Sequence, residues 1–186
     1  SLSACPVIGN NVDIGANVGQ MLLEMSQTHC LGWSMTVVEI QHHLANNLKE
    51  IAKNIRTEQP ENQIVVVNAG ASDHAGIMFI EYNEKETSQH VSMNFVRAQG
   101  GHKVKIMTLD SYLDALSPHI YLDFLKIDTE GWEYEVLHGA LRSLNSHNIQ
   151  VIYYECHVLW EHSTHRWTYA EATDFFDALG YDNFMI

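Results

Sequence analysis

The chain has 186 residues, 46% of them apolar and 18% charged, and its 10 Lys and Arg against 23 Asp and Glu leave a formal charge of −13. At ~150 residues per domain that length predicts one compact domain with ample core, and it excludes a disordered chain. So acidic a balance repels phosphate backbones and acidic lipid, so neither nucleic acid nor a membrane surface is an expected partner.

Asn11 to Ile14 reads as a first strand, succeeded at once by the turn Gly15-Ala16-Asn17-Val18-Gly19 and by Val18, Met21, Leu22 and Met25 at helical spacing. Met35 to Glu39 is a second strand, and Leu44, Leu48, Ile51 and Ile55 mark one face of a longer helix ending near Arg56. Ile64 to Ala69 is a third, whose unbroken Ile-Val-Val-Val suits burial on both faces of a parallel sheet. The rhythm then breaks. Ile77 to Tyr82 and Lys103 to Thr108 read as strands around a polar loop, which predicts a β-hairpin-like insertion between the third and fourth main strands. Asp110 to Leu116 fits a short helix and Asp123 to Asp128 the fourth main strand. Val136, Leu137, Ala140, Leu141 and Leu144 predict one amphipathic helix, and Ile149 to Tyr154 a fifth strand. The last helix has a capping box in Thr168 and Glu171 and a terminating Gly180, after which Tyr181 to Ile186 begins a further strand. The resulting fold class is α/β, a mainly parallel central sheet flanked by helices in a single domain, 1–186.

Cys5, Cys30 and Cys156 form no CxxC and no zinc-type spacing, and their odd number points to reduced thiols and a cytoplasmic setting. No apolar run approaches the ~18 residues that span a bilayer, and Ser1 to Asn10 lacks the regions of a signal peptide. The absence of an initial Met fits a domain truncated at one or both ends.

Open parallel sheets bind ligands at the carboxyl ends of their strands, so the residues just past each strand are the candidates for chemistry. After the first strand come Asp13, Gly15, Asn17 and Gly19, a turn that admits close backbone approach by a nucleoside-bearing cofactor. Glu39, twenty residues after Gly19, stands where a carboxylate accepts both hydroxyls of an adenosine ribose. Together these allow either NAD or S-adenosylmethionine. The turn lacks the full Gly-x-Gly-x-x-Gly that seats a pyrophosphate, and Asp13 suits a cation, both of which favour S-adenosylmethionine. After the third strand, Ala69 to Ala71 leave room for an adenine, with Ser72 beside them and Asp73 placed either to contact the base or to stabilise a turn.

Asp123 to Glu133 is the densest cluster. Lys126 and Asp128 share a strand face, so Lys126 is expected in a structural ion pair, while Glu130 and Glu133 suit the dipole of the next helix. Glu155 and His157 fall on the rim after the fifth strand, where His157 is placed to take a proton from an attacking hydroxyl. The aromatic, histidine-rich stretch from Trp160 to Trp167 reads as a loop over the cleft or a protein contact, and its spacing matches no metal-ligand pattern.

These segments together resemble the FkbM-type S-adenosylmethionine-dependent methyltransferases. The likeness rests on Asp13-Ile14-Gly15-Ala16-Asn17-Val18-Gly19, Asn68-Ala69 with Ser72-Asp73 and Gly76, Thr108-Leu109-Asp110, Leu125 to Gly131 with Glu133, and Val136-Leu137-His138-Gly139-Ala140. It implies a Rossmann-like methyltransferase fold and methyl transfer to a hydroxyl of a small-molecule acceptor, usually a sugar or secondary metabolite. His157 or Glu155 would then act as base, with Asp128 holding the methionine portion or orienting the acceptor. The sequence departs from the family at Ile40, where proline usually follows the acid, and its end is short of the usual final strand pair. Two rival readings stand beside this one: an NAD-dependent oxidoreductase and a non-catalytic nucleoside-binding module.

Overall fold

Runs of β-branched residues alternate with helix-period stretches, and in the computed structural model, which describes residues 9–28, 30–81, 94–95, 101–117, 120–156 and 167–184, these runs become the strands of an α/β fold. In chain order the elements are β1 (Asn10–Ile14), α1 (Gln20–Gln27), β2 (Ser34–Glu39), α2 (His42–Glu58), β3 (Gln63–Asn68), β4 (Gly70–Ala71), β5 (Gly76–Glu81), β6 (Asn94–Phe95), β7 (His102–Met107), α3 (Leu109–Leu116), β8 (Leu122–Ile127), α4 (Glu133–His138), α5 (Leu141–Asn145), β9 (Ile149–Tyr154) and α6 (Tyr169–Ala178). Five strands form one wholly parallel sheet in the order β3-β2-β1-β8-β9. The strand order reverses direction at β1, so the cleft a ligand can enter opens beside its carboxyl end.

Successive residues of a strand point to opposite faces, and both faces of this sheet are covered. On one side Met35, Val37 and Ile64 pack with Leu22 and Met25 of α1, Leu48 and Ala52 of α2, and Trp33. On the other, Val12, Ile14, Val38, Leu125 and Ile127 pack with residues of α3, α4, α5 and α6, among them Leu113, Leu137, Leu144 and Phe176. Val37 and Val38 thus serve different cores, which is why the central strands read as unbroken apolar runs.

The insertion forms a second sheet in the order β4-β7-β5-β6, with β5 antiparallel to both neighbours around a small core of Ile80, Val104 and Ile106. This is the hairpin-like element expected between the third and fourth main strands.

Four expectations are corrected. The helix expected to run through Val136 and Leu144 is broken into α4 and α5. A Cβ on Gly139 would overlap the Ser72 carbonyl oxygen, and the break frees the start of α5 to be capped by Asp110, which accepts from Arg142 N at 2.9 Å and Ser143 N at 3.0 Å. Tyr181 to Phe184 form no strand; instead the Tyr181 hydroxyl donates to the Ile149 carbonyl at 3.0 Å, tying this segment across the start of β9. Trp167 is buried, edge-on to Tyr134 and Phe175, and belongs to the core under α6 rather than to a loop over the cleft. Cys30 is disulfide-bonded where a reduced thiol was expected, whereas Cys156 is a free, exposed thiol. The capping box is present in full, with Thr168 Oγ1 accepting from Glu171 N and Glu171 accepting from Thr168 N. Among the described residues, no helix is long and apolar enough to cross a membrane.

Candidate functional site

The carboxyl ends of the five parallel strands border one cavity of about 780 Å³. It is walled on one side by α1, through Gln20, Met21 and Glu24, and on another by Met78 and Ile106 of the insertion.

The glycine turn is held by backbone bonding. Gly15 has φ 83°, a left-handed conformation that side chains rarely adopt, and a Cβ there would overlap the Asp128 carbonyl oxygen. Only glycine lets the ends of β1 and β8 approach this closely. The amides of Gly15 and Ala16 both donate to the Val38 carbonyl, at 3.0 and 3.1 Å, and Gly19 N donates to Ala16 O at 2.7 Å. Asn17, at φ 48°, donates its amide to Glu39 Oε2 at 2.8 Å, and Gln41 N donates to Glu39 Oε1 at 2.8 Å. Glu39 is only 4% exposed; burial raises its pKa, and the two backbone donors offset part of that rise. The Asn68 amide group donates to the carbonyls of Glu39 and Ile40 at 2.9 and 3.1 Å. That side chain fastens the bend after β2.

Asp13, 1% exposed, faces Lys126 in register across the β1 and β8 pair. Lys126 Nζ lies 3.3 Å from Asp13 Oδ1 and 3.0 Å from Asp128 Oδ2, so the expected ion pair is a three-membered one. Burial raises the Asp13 pKa against the opposing pull of Lys126. For Lys126 burial acts downward, but the charges of Asp13 and Asp128 and their hydrogen bonds outweigh it and raise its pKa. The lysine is therefore a fixed cation, unsuited to serve as a base.

After β8 the chain bends through Glu130 at φ 57° and Gly131 at φ 106°. The Glu133 carboxylate, 0% exposed, accepts from Thr129 N at 2.7 Å, Thr129 Oγ1 at 2.9 Å and Gly131 N at 3.1 Å. Its position in the first turn of α4 suits the helix dipole, but its hydrogen bonds hold the loop that leads into the helix.

Of the residues singled out from sequence, Asp13, Gly15, Asn17, Glu39, Ser72, Asp128 and Glu155 line the cavity. Gly19 and Asp73 do not. Gly19 sits where a Cβ would meet Leu48 Cδ2 at 2.6 Å, so its role is the packing of α1 against α2. Asp73 turns outward to accept from Ser72 Oγ at 3.1 Å and pairs with His74 Nδ1 at 2.6 Å, the turn-stabilising alternative. His157 and 160–166 lie outside the described residues. The sequence reading missed Gln41, Phe124, Trp132 and Tyr153 as lining residues, and also Met78 and Ile106 of the insertion. Trp132 and Tyr153 were findable as neighbours of the strand-end acids. Met78 and Ile106 were not, because nothing local says where a second sheet docks.

A family model for the methyltransferase FkbM domain matches residues 13–182. Among solved structures, the crystal structure of methyltransferase FkbM from Methylobacillus flagellatus KT is similar, with a TM-score of 0.51 and 17% identity. The match covers 97% of this chain and 38% of that one, so the chain spans well under half the length of its structural neighbour, and at this identity the likeness concerns the fold alone. No curated protein matches the chain. The family match runs from Asp13 in the glycine turn to Asp182, taking in every cavity-lining segment described above, and the chain belongs to the FkbM methyltransferase family.

Proposed function

We propose that this chain is an S-adenosylmethionine-dependent methyltransferase acting on a hydroxyl of a small-molecule acceptor, a sugar or secondary metabolite. The observation that carries the reading is Glu39: a buried carboxylate at the end of β2, pinned by two backbone amides and facing the cavity beside the glycine turn. A ribose presents two adjacent hydroxyls, and an oriented carboxylate accepts from both. Next to it, Ile40, Met78 and Ile106 offer apolar walls and Ala69 to Ala71 leave space for a flat base.

The residues present fit the cofactor. Asp13, Asn17, Glu39 and Ser72 would hold it, and the carboxylates of Asp13 and Asp128 suit a cationic ligand. When bound, it supplies an electrophilic methyl carbon on a sulfonium centre. The rest is alignment and exclusion of water. Lys126 fixes the Asp128 carboxylate at 3.0 Å, and Asp128 orients the acceptor hydroxyl from the rim. Glu155 receives the hydroxyl proton, a role His157 would share from the following segment.

An NAD-dependent oxidoreductase is less well supported. A pyrophosphate draws on free amides of the glycine turn, and the N–H groups of Gly15, Ala16, Asn17 and Gly19 are taken up within the protein. The disulfide at Cys30 favours an oxidising compartment over the cytoplasmic setting expected from the cysteine count.

Calorimetric titration with S-adenosylmethionine, S-adenosylhomocysteine and NAD tests the reading. The first two are expected to bind and NAD is not. Heat from NAD alone, or no binding of the first two at millimolar concentration, overturns it.

A further inference from the structure

The loop after β8 concentrates backbone strain at one residue. Glu130 is held at φ 57°, a region that favours glycine, and it is one of the residues lining the cavity. Asn17, the other non-glycine cavity residue at positive φ, is of a type that tolerates this geometry; a glutamate does so far less readily. What enforces the bend is Glu133, whose fully buried carboxylate gathers Thr129 N, Thr129 Oγ1 and Gly131 N, the groups on either side of Glu130.

The loop also lies at the right end of the cavity. Glu39 ends β2, and β8 is two strands away in the sheet, about 10 Å at ~4.8 Å per strand. Glu130 therefore faces the half of the cavity that a nucleoside anchored at Glu39 leaves open, together with Phe124, Trp132, Tyr153 and Glu155. Aromatic faces there can stack on the apolar face of a ring, and carboxylates accept from hydroxyl or ammonium groups. Lys126 is the sole cationic side chain among the described lining residues, and it is already flanked by Asp13 and Asp128. A phosphate entering this half would meet Asp128, Glu130 and Glu155 without an unengaged cation among those residues.

We propose that Glu130 contacts the acceptor, that Glu133 is the positioning residue that delivers it, and that this wall selects hydroxylated rings that are neutral or carry an ammonium over phosphorylated ones. The proposal rests on the methyltransferase reading, and its test separates the two.

The first arm is a double-variant cycle in thermal unfolding of the whole chain. Glu130→Gly is expected to hold or raise the Tm, since glycine suits φ 57°. Glu133→Gln is expected to lower the Tm at least twice as far in the wild-type background as in Glu130→Gly, because the bend it enforces is then free of strain. Equal losses in both backgrounds, or a fall in Tm for Glu130→Gly, overturn the positioning role. The second arm is saturation-transfer NMR on the S-adenosylhomocysteine-loaded protein with glucosamine, glucose and glucose 6-phosphate. Signals are expected for glucosamine and glucose, at least fivefold weaker in Glu130→Gly, while the S-adenosylhomocysteine Kd stays within twofold. Glucose 6-phosphate binding as well as glucose, no loss in Glu130→Gly, or no signal from any of the three overturns the acceptor assignment. Failure of S-adenosylhomocysteine to bind overturns the methyltransferase reading itself, and the Tm cycle still decides the positioning role.

Discussion

Lys126 Nζ sits between two carboxylates, 3.3 Å from Asp13 and 3.0 Å from Asp128, so that the ends of β1 and β8 are joined by charge as well as by the ladder. Asp13 has almost no access to solvent, and Lys126 is the cation within reach that makes its burial tolerable. The same trio borders the cavity, so fold and site share one electrostatic joint.

Replacing Lys126 by Met leaves Asp13 a buried, uncompensated charge, and the expected loss is about 3 kcal/mol at pH 7. Urea unfolding measures it. Since the Lys126 pKa is raised in the folded chain, its stabilisation is complete below the ordinary lysine value of about 10.4 and is lost as pH climbs through the higher folded value. The gap between wild type and variant should therefore stay constant from pH 7 to pH 9 on that account.

Glu39 gives a slope of the same sign, but in an acidic window. Its pKa is raised on folding, so between the ordinary glutamate value of about 4.3 and the higher folded value the native state holds more proton than the unfolded chain. Stability contributed by this group is greatest at low pH and is lost as pH rises through that window. Wild type minus Glu39→Gln, compared by Tm from pH 4 to pH 7, should fall with pH; a rising difference contradicts the assignment. The same variant should weaken S-adenosylmethionine binding by about tenfold or more, since an amide replaces a charged acceptor of ribose hydroxyls.

Gly15→Ala drives a Cβ into the Asp128 carbonyl oxygen at a backbone φ of 83°. Neither atom is a flexible side-chain end, so the β1 and β8 ends must part. The expectation is a loss of about 3 kcal/mol or more, read by denaturant midpoint.

Asp110 stands in the first turn of α3 yet accepts from Arg142 N, Ser143 N and Ser143 Oγ at the start of α5. Asp110→Ala should cost about 1–2 kcal/mol, as loss of a helix cap does. Ser143→Ala keeps the backbone bond and should cost less.

The order of the five main strands and of most helices is legible in the sequence, because two periods, 2.0 and 3.6, are written into the apolar positions and each core side of the sheet needs its own set. The sequence also placed the glycine turn, Glu39 and the acids after β8 at strand ends, since a parallel sheet brings those ends to one rim. Local pattern carried the capping box of Thr168 and Glu171 as well. What depends on neighbours distant in the chain becomes visible only in the folded protein. That position 139 must be glycine comes from the Ser72 carbonyl pressing on it from a distant part of the chain. The insertion's contribution of Met78 and Ile106 to the cavity belongs here too. So does the work of Glu133: in sequence it is an acid at the start of a helix, and only its burial on folding makes it the anchor of the loop after β8. Periodicity records which face a residue takes, but not which partner meets it there.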